Sequence, residues 1–233
     1  MYRLPQKLAA EFIGTFAVVF IAAGSICADQ YLRAADQTGI SLLGAALAYG
    51  LATAVMVTAV GHISGGHLNP AVTIGFWVTK RLSTLQSIFY AAAQLLGAVA
   101  AGYLLAAIVP EQVWRPVALG TPDLVSDVTR WHGMLLEAVL SFLVVFVFFA
   151  TVVDAKGAFH KVAGFAVGLT VTIGVLFGAP FTGGAMNPAR VFGTAVAARH
   201  FQNHGVFWVG PLFGGVVASV VYDRLFLRDQ PPA

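Results

Sequence analysis

The sequence predicts an all-α membrane protein with six transmembrane helices and two short re-entrant half-helices, arranged as an inverted repeat. The first observation is composition: 58% of the 233 residues are hydrophobic and 10% are charged, against about 25% charged residues in an average soluble domain. The second is a series of six long apolar runs. The third is a pair of shorter apolar pieces that each begin with Asn-Pro-Ala. So much apolar surface excludes a water-soluble enzyme and a nucleic-acid-binding protein.

Each long run approaches the roughly 20 residues that a helix needs to cross the hydrocarbon core of a bilayer. Gly and Ala are frequent inside the runs, as expected where helices pack closely in lipid. We interpret the first run as an uncleaved span rather than a signal peptide, because it is long and has Glu11 at its start. The predicted spans are residues 8–27, 41–60, 85–109, 133–153, 162–179 and 206–227, and the two pieces too short to cross are residues 70–77 and 188–198.

The basic residues predict that the N-terminus and the C-terminus both lie in the cytoplasm. With that orientation, all four lysines of the chain fall on the cytoplasmic side, where membrane proteins carry an excess of Lys and Arg. His160, beside Lys161, is the one histidine that we mark as a candidate for mild pH sensing. The basic residues of the cytoplasmic segments are Arg3, Lys7, Lys80, Arg81, Lys156, Lys161, Arg224 and Arg228.

An internal repeat relates the two halves of the chain. Residues 64–75 align with residues 182–193, and the aligned asparagines Asn69 and Asn187 are 118 residues apart. Each half holds three spans and one short piece, and because three is odd, the second half must be inverted relative to the first. Inverted repeats place two discontinuous helices near the middle of the membrane. We therefore expect a single transmembrane domain over residues 1–233, with repeats at about 1–115 and 125–233.

The Asn-Pro-Ala pieces have the chemistry of helix starts, because Asn is favoured as an N-cap and Pro at the first helical position. Two opposed half-helices would bring together two positive dipole ends of about +0.5 charge each. Irregular backbone at this depth is tolerated where it lines a water-filled cavity. Water that accepts from both asparagine amides would interrupt a proton wire, and the dipoles would repel cations. The residues concerned are Asn69, Pro70 and Ala71 in the first half and Asn187, Pro188 and Ala189 in the second.

With these motifs the chain resembles the aquaporin, or major intrinsic protein, family over nearly its whole length, and in particular its bacterial water-channel type. The matching motifs are Ala-Glu-Phe-Ile-Gly-Thr at residues 10–15, Gly-His-Ile-Ser-Gly-Gly-His-Leu-Asn-Pro-Ala-Val-Thr at 61–73 and Asn-Pro-Ala-Arg at 187–190. The resemblance implies a transmembrane channel domain, one pore in each subunit of a homotetramer, and a place in the cell inner membrane. It also implies no cofactor. The sequence itself has no His, Cys or Asp cluster with metal-ligand spacing and no nucleophile motif, so we expect no metal and no catalytic residue.

The resemblance implies roles for two glutamates and two histidines. In the family, the glutamates that match Glu11 and Glu137 hydrogen-bond the backbone of the re-entrant loops. An intramembrane carboxylate is costly and by default functional, and the alternative here is a charge that reaches the interface. His62 and His67 resemble family residues that brace the first re-entrant loop, with gating as the alternative.

By spacing from the two asparagines, the resemblance assigns the selectivity filter to Tyr49, Val175, Gly184 and Arg190. Arg190 would donate to permeating water and exclude cations by its charge. The set departs from both family patterns. Water channels usually have an aromatic residue, His, a small polar residue or Cys, and Arg, whereas glycerol channels usually have Trp, Gly, Phe and Arg. Other discriminating positions favour a water channel: Val191, Ala195, Phe207 and Trp208.

The resemblance implies a passive channel that conducts water together with small neutral solutes such as hydrogen peroxide or glycerol, and that excludes ions and protons. A dedicated facilitator for glycerol or another small neutral solute is the main alternative. An ion-coupled transporter would need intramembrane charges beyond Glu11, Glu137 and Arg190, and a structural junction would need an occluded filter. The expected partners are water, small solutes, the lipid bilayer and further copies of the chain, with no nucleic acid.

Overall fold

The computed structural model of the chain describes residues 2–156 and 162–227. His160, Lys161 and Arg228, which entered the predictions of orientation and pH sensing, lie outside these residues. The α-helices of the described part are α1 (Leu4–Ala34), α2 (Ser41–Ser64), α3 (Pro70–Val78), α4 (Thr84–Ile108), α5 (Glu111–Trp114), α6 (Arg130–Phe148), α7 (Ala163–Thr182), α8 (Pro188–Ala198) and α9 (Val206–Tyr222). A 3-10 segment spans Arg115–Gly120, and π-helical turns continue α6 over Phe149–Val153 and α9 over Asp223–Leu227.

Six helices of the described ranges are long and apolar enough to cross a membrane. They are α1, α2, α4 and α7, together with α6 and α9 when the π-helical turns that follow these two are included. The predicted fold class is therefore confirmed. α1 has 31 residues and is about 46 Å long at 1.5 Å per residue, well over the hydrocarbon thickness of about 30 Å. It extends beyond the predicted residues 8–27 because polar residues at both ends continue the helix past its apolar part.

The two short helices begin at the Asn-Pro-Ala pieces. α3 has nine residues and α8 has 11, so both are too short to cross a bilayer. Each asparagine side chain accepts a hydrogen bond from the backbone N–H two residues on, which is Ala71 at 2.8 Å and Ala189 at 3.0 Å. The proline between them lacks an N–H, and at the first helical position that loss costs no hydrogen bond. The local sequence thus fixes where both half-helices start.

Glycines bring the long helices into close contact. A side chain at Gly97 of α4 would collide with the backbone of Phe12 in α1, and one at Gly214 of α9 with the backbone of Ala138 in α6. Gly50 of α2 likewise faces the backbone of α7. Such close backbone approach drives helix association in lipid, where no hydrophobic force acts between helices. α3 packs against α9 and α8 against α4, and the first residues of both half-helices are buried.

Candidate functional site

The candidate site lies where the N-termini of α3 and α8 meet. The side-chain amide of Asn69 donates to the carbonyl oxygen of Met186 at 2.9 Å, and that of Asn187 donates to the carbonyl oxygen of Leu68 at 3.0 Å. Each asparagine therefore caps its own half-helix and is also bound to the opposite re-entrant turn. These cross-links hold the two positive helix ends, each of about +0.5 charge, next to one another.

Glu11 of α1 holds the turn before α3 from behind, and its side chain is fully buried. One carboxyl oxygen accepts from the Ser64 hydroxyl at 2.6 Å and from the His67 N–H at 3.0 Å. The other oxygen accepts from the Leu68 N–H at 2.7 Å and from the Gln94 amide at 2.7 Å. Four donors thus satisfy this acid, as the burial of a carboxyl group requires.

Glu137 of α6 holds the turn before α8 in the same way and is also fully buried. One carboxyl oxygen accepts from the Thr182 hydroxyl at 2.6 Å and from the Ala185 N–H at 3.0 Å. The other accepts from the Met186 N–H at 2.8 Å. These three donors stand five, two and one residues before Asn187. The hydroxyl and the two backbone N–H groups that bind Glu11 stand at the same distances before Asn69.

The backbone of the two turns repeats as well. Gly65 and Gly183, which end α2 and α7, adopt the left-handed conformation at φ of +96° and +83°. Leu68 and Met186 also have positive φ, at +51° and +53°, a region that residues with side chains seldom occupy. Their N–H groups bind the glutamates and their carbonyls bind the asparagines. The strained residues are therefore bound on both sides.

A narrow cavity runs past this junction. Its volume beside the asparagines is about 20 Å³, and a cavity needs about 10–15 Å³ of such space to hold one water. A wider cavity of about 300 Å³ adjoins the narrow one at Val57, which lines both. The polar groups of the narrow part belong to Tyr49, Thr53, His67, Asn69 and Asn187, and the remaining wall is mainly valine. This shape suits small molecules that pass one at a time.

Two of the four predicted filter positions, Tyr49 and Arg190, lie against each other. The guanidinium carbon of Arg190 is 5.6 Å from the centre of the Tyr49 ring, within the range of a cation–π contact. Arg190 is 2% exposed, and within the described part of the chain its Nε and Nη1 atoms have no hydrogen-bond partner. The Tyr49 hydroxyl donates to the carbonyl oxygen of Ala185 at 2.9 Å.

The other two predicted filter positions, Val175 and Gly184, contact each other through backbone. Gly184 has φ of +57°, and a Cβ on it would lie 3.0 Å from the Val175 Cα and 3.2 Å from the Ala179 nitrogen. A side chain at this position would therefore point at the backbone of α7. The absence of a side chain at Gly184 serves close packing, which spacing in the sequence did not indicate.

His67 lies at the first turn and is 3% exposed. Its Nδ1 atom is 3.2 Å from the Thr73 hydroxyl. That hydroxyl donates to the Asn69 carbonyl oxygen at 3.2 Å and accepts from the Gln94 amide at 2.9 Å. In the tautomer with a proton on Nδ1, the ring donates to the Thr73 hydroxyl, and Nε2 is then an acceptor.

His62 occupies a different place. It is exposed in the last turn of α2, its ring centre lies 5.8 Å from that of Tyr2, and it lines the wider cavity. The structure thus brings His67, but not His62, into the hydrogen-bonded turn. Over residues 2–156 and 162–227, no group of three or more His, Cys, Asp or Glu side chains could hold a metal ion.

Four residues of the site were not predicted from the sequence: Ser64, Thr73, Gln94 and Thr182. A signal for Ser64 and Thr182 was present, because a hydroxyl residue precedes Gly-Gly in both halves. Gln94 gave no such signal, since its partners lie 83 and 21 residues away in the chain. Thr73 resembles a helix-interior residue until its contacts with Gln94 and His67 are known.

Comparisons with known proteins agree with this architecture. The family model described as Major intrinsic protein matches residues 2–222. The chain is 46% identical to Aquaporin TIP4-4 of Zea mays over 226 residues, which cover 96% of this chain and 88% of that protein. It is 44% identical to the lens fiber major intrinsic protein of Oryctolagus cuniculus over 220 residues, which cover 94% and 81%. The solved structure of the aquaglyceroporin from Plasmodium falciparum matches with a TM-score of 0.78 and 25% identity over 97% of this chain and 98% of that one.

The family match spans nearly the whole chain, and both relatives align over most of their own lengths. The resemblance that the sequence motifs indicated is therefore confirmed at the level of the family. The relatives named come from a plant and an animal, so they leave the bacterial type a prediction. The chain belongs to the major intrinsic protein family, the family of the aquaporins.

Proposed function

We propose that this chain is a passive water channel that also passes small neutral solutes such as hydrogen peroxide or glycerol, and that it excludes ions and protons. The observation that carries the proposal is the narrow cavity beside Asn69 and Asn187, at the meeting of two helix N-termini. Each amide nitrogen carries two hydrogens, and one of them binds a backbone carbonyl. The second hydrogen of each amide can donate to water in the cavity.

Water held in this way explains the exclusion of protons. Its oxygen accepts from the asparagine amides, so its own hydrogens point away from the junction, towards the two ends of the pore. Neighbouring waters then donate in opposite directions on the two sides, and a continuous proton wire is interrupted. Cations are repelled by the two helix ends, because both present positive partial charge to the same space.

Arg190 supplies the donors of the proposed filter. Buried polar groups are nearly always hydrogen-bonded to protein or to ordered water. The Nε and Nη1 atoms of Arg190 are buried and unpartnered among the described residues, which supports permeating water as their partner. We propose Tyr49, Val175 and Gly184 as the other filter positions, with Gly184 contributing backbone only.

A dedicated facilitator for glycerol or another small neutral solute is the second candidate. Val175 favours it, because an apolar wall lowers the cost of passage for a solute with C–H surface. The solved structure matched at 25% identity is an aquaglyceroporin, whereas the relative at 46% identity is named an aquaporin. Water as the main permeant accords better with the higher identity. Neither candidate requires a catalytic residue or a cofactor.

We further propose a single channel domain over residues 1–233, with inverted repeats at about 1–115 and 125–233. The matched positive φ values of the two turns support the repeat. We propose a homotetramer in the cell inner membrane with both termini in the cytoplasm, and the distribution of lysines supports this orientation. Large apolar side chains are exposed along the helices, for example Leu96 and Ile173, which supports contact with lipid and with further copies of the chain.

Stopped-flow light scattering on proteoliposomes tests the proposal, with water, glycerol, urea and hydrogen peroxide compared side by side. A matched control is Val171→Trp, because Val171 lines the narrow cavity and the larger side chain fills it. We expect fast water flow, measurable peroxide flux and slower glycerol flux in the wild type, with all three lost in the control. Water flow no faster than in the control would contradict the proposal, and glycerol flow as fast as water flow would favour the facilitator.

A further inference from the structure

The hydroxyl of Tyr49 makes a contact that the ring alone does not explain. Tyr49 lies on α2, is 4% exposed and lines the narrow cavity. Its hydroxyl donates to the carbonyl oxygen of Ala185 at 2.9 Å, and the Ala185 N–H donates to Glu137 at 3.0 Å. Ala185 is therefore held from both sides, and the tyrosine ring is tied to the backbone of the second re-entrant turn.

The hydrogen bond between the Tyr49 hydroxyl and the Ala185 carbonyl, called the tie below, has no counterpart in the other half of the repeat. Val167 stands 20 residues before Asn187, as Tyr49 stands 20 residues before Asn69, and both line the narrow cavity. Valine cannot donate a hydrogen bond. The tie is therefore absent at the matching place in the first turn, and it is not needed to form the shared backbone of a re-entrant turn.

The tied ring also faces Arg190. The guanidinium lies 5.6 Å from the ring centre, and its buried Nε and Nη1 atoms have no partner in the described residues. A phenylalanine in this place could tilt towards or away from the arginine. Tyr49 cannot do so without breaking its hydrogen bond to Ala185, so the ring is held in one position against the guanidinium.

We propose that the hydroxyl of Tyr49, through its bond to the Ala185 carbonyl, is what makes the constriction pass water much faster than polyols such as glycerol. The inference rests on the proposed channel function and names the solute class whose passage the filter slows. The tie keeps the ring rigid, so a solute wider than water cannot push it aside. The rigid ring thereby offsets the apolar Val175 side chain, which favours solutes with C–H surface.

Tyr49→Phe removes the tie and keeps the ring, and Tyr90→Phe is its matched control. The Tyr90 hydroxyl donates to the Ser64 carbonyl oxygen, also at 2.9 Å, and Tyr90 is fully buried on α4. Both variants thus lose one buried tyrosine–carbonyl hydrogen bond beside a re-entrant turn. We expect the ratio of glycerol to water permeability in proteoliposomes to rise about fivefold in Tyr49→Phe, the factor that one neutral hydrogen bond corresponds to, and to stay at the wild-type value in Tyr90→Phe.

An unchanged ratio in Tyr49→Phe, with water flow retained, would overturn the inference, and so would an equal rise in Tyr90→Phe. Wild-type liposomes that conduct no water would instead contradict the proposed function itself. Should Tyr49→Phe not assemble, Tyr49→Leu removes ring and tie together. A ratio at the wild-type value in Tyr49→Leu would equally overturn the inference, because neither the ring nor its hydrogen bond would then restrict polyols.

Discussion

The two re-entrant turns have the same backbone and differ in the side chains around it. Each turn is held by a buried glutamate, Glu11 or Glu137, that accepts from one hydroxyl and two backbone N–H groups. The first turn adds a neutral network, in which Gln94 and Thr73 bind each other and connect Glu11 to His67. The second turn adds the buried cation of Arg190.

The difference shows which parts of the site are structural and which are selective. Val72 occupies the place after the first Asn-Pro-Ala that Arg190 occupies after the second. Charge is thus added to one copy of a repeated framework. A second arginine at Val72 would put two like charges along one narrow cavity, and their repulsion in a poorly solvated space is costly. One arginine beside two helix N-termini is enough to repel cations.

Replacing Arg190 with Val makes the second turn resemble the first and has the largest expected effect. A unit charge about 5 Å from a passing cation raises its energy by about 3 kcal/mol at an effective dielectric of 20. Cation or proton flux through the channel should therefore rise by about 100-fold, at about 1.4 kcal/mol per factor of ten. The flux is measured in liposomes under an imposed voltage.

Val72→Ala, which changes the matching residue without changing charge, is the control for this variant. It should leave the liposomes as tight to cations as the wild type. Equally tight liposomes with Arg190→Val would show that the two helix ends exclude cations without the arginine. The charge that distinguishes the second turn from the first would then have no role in cation exclusion.

The glutamates provide the second test, because the two turns differ in how they can adapt to an amide. In Glu137→Gln, an amide N–H group faces donors of Thr182, Ala185 or Met186, and a buried unsatisfied group costs about 1–3 kcal/mol. In Glu11→Gln, the Gln94 amide can turn its oxygen towards the new N–H group. We expect both variants to lower the thermal unfolding midpoint in detergent, Glu137→Gln by more, and neither to change the ranking of solutes.

The opposite order of midpoints would show that Gln94 is held too firmly to turn. A change of solute ranking in Glu137→Gln at a wild-type midpoint would place the Glu137 side chain in the pore wall rather than behind the turn.

The sequence was sufficient for the spans and the half-helix starts, because both depend on local signals. Long apolar runs predict the six crossing helices, and Asn before Pro predicts the caps that Asn69 and Asn187 form with the next N–H groups. The helix ends were less predictable, as α1 shows: hydrophobicity marks the part of a helix that lies in lipid, while hydrogen bonding continues the helix beyond it.

Contacts between distant parts of the chain were not predictable. The bond between Tyr49 and Ala185 joins residues 136 positions apart, and the bonds between the asparagines and the opposite turns join residues 117 and 119 positions apart. Spacing from a motif marks which positions lie near the filter. It does not tell whether a position contributes a side chain or backbone, and for Gly184 the direction of the missing Cβ decided this.

Gln94 tests the neutral network that only the first turn has. Gln94→Leu removes one donor to Glu11 and one to Thr73, and leaving buried acceptors partly satisfied costs about 1–2 kcal/mol. We expect a lower unfolding midpoint with water flow and solute ranking at wild-type values. Combined with Glu11→Gln, the loss should be larger than the sum of the two single losses, because Gln94→Leu removes the amide that would turn to bind the new side chain. Strictly additive losses would show that Gln94 and Glu11 do not act together.

The smallest expected effect separates the two glycines that end α2 and α7. Gly65 and Gly183 both have left-handed backbone, which costs a residue with a side chain about 1–2 kcal/mol, so Gly65→Ala and Gly183→Ala should both destabilise the protein. Their surroundings differ. A Cβ at Gly65 would lie 3.2 Å from the tip of the His67 ring, which can shift, whereas one at Gly183 would lie 2.9 Å from the Cα of Pro122, which is backbone. Gly183→Ala should therefore have the lower unfolding midpoint, by a margin of about 1 kcal/mol or less in free energy. The reverse order would mean that the loop around Pro122 moves more easily than His67, and hence that the second turn is the less tightly packed of the two.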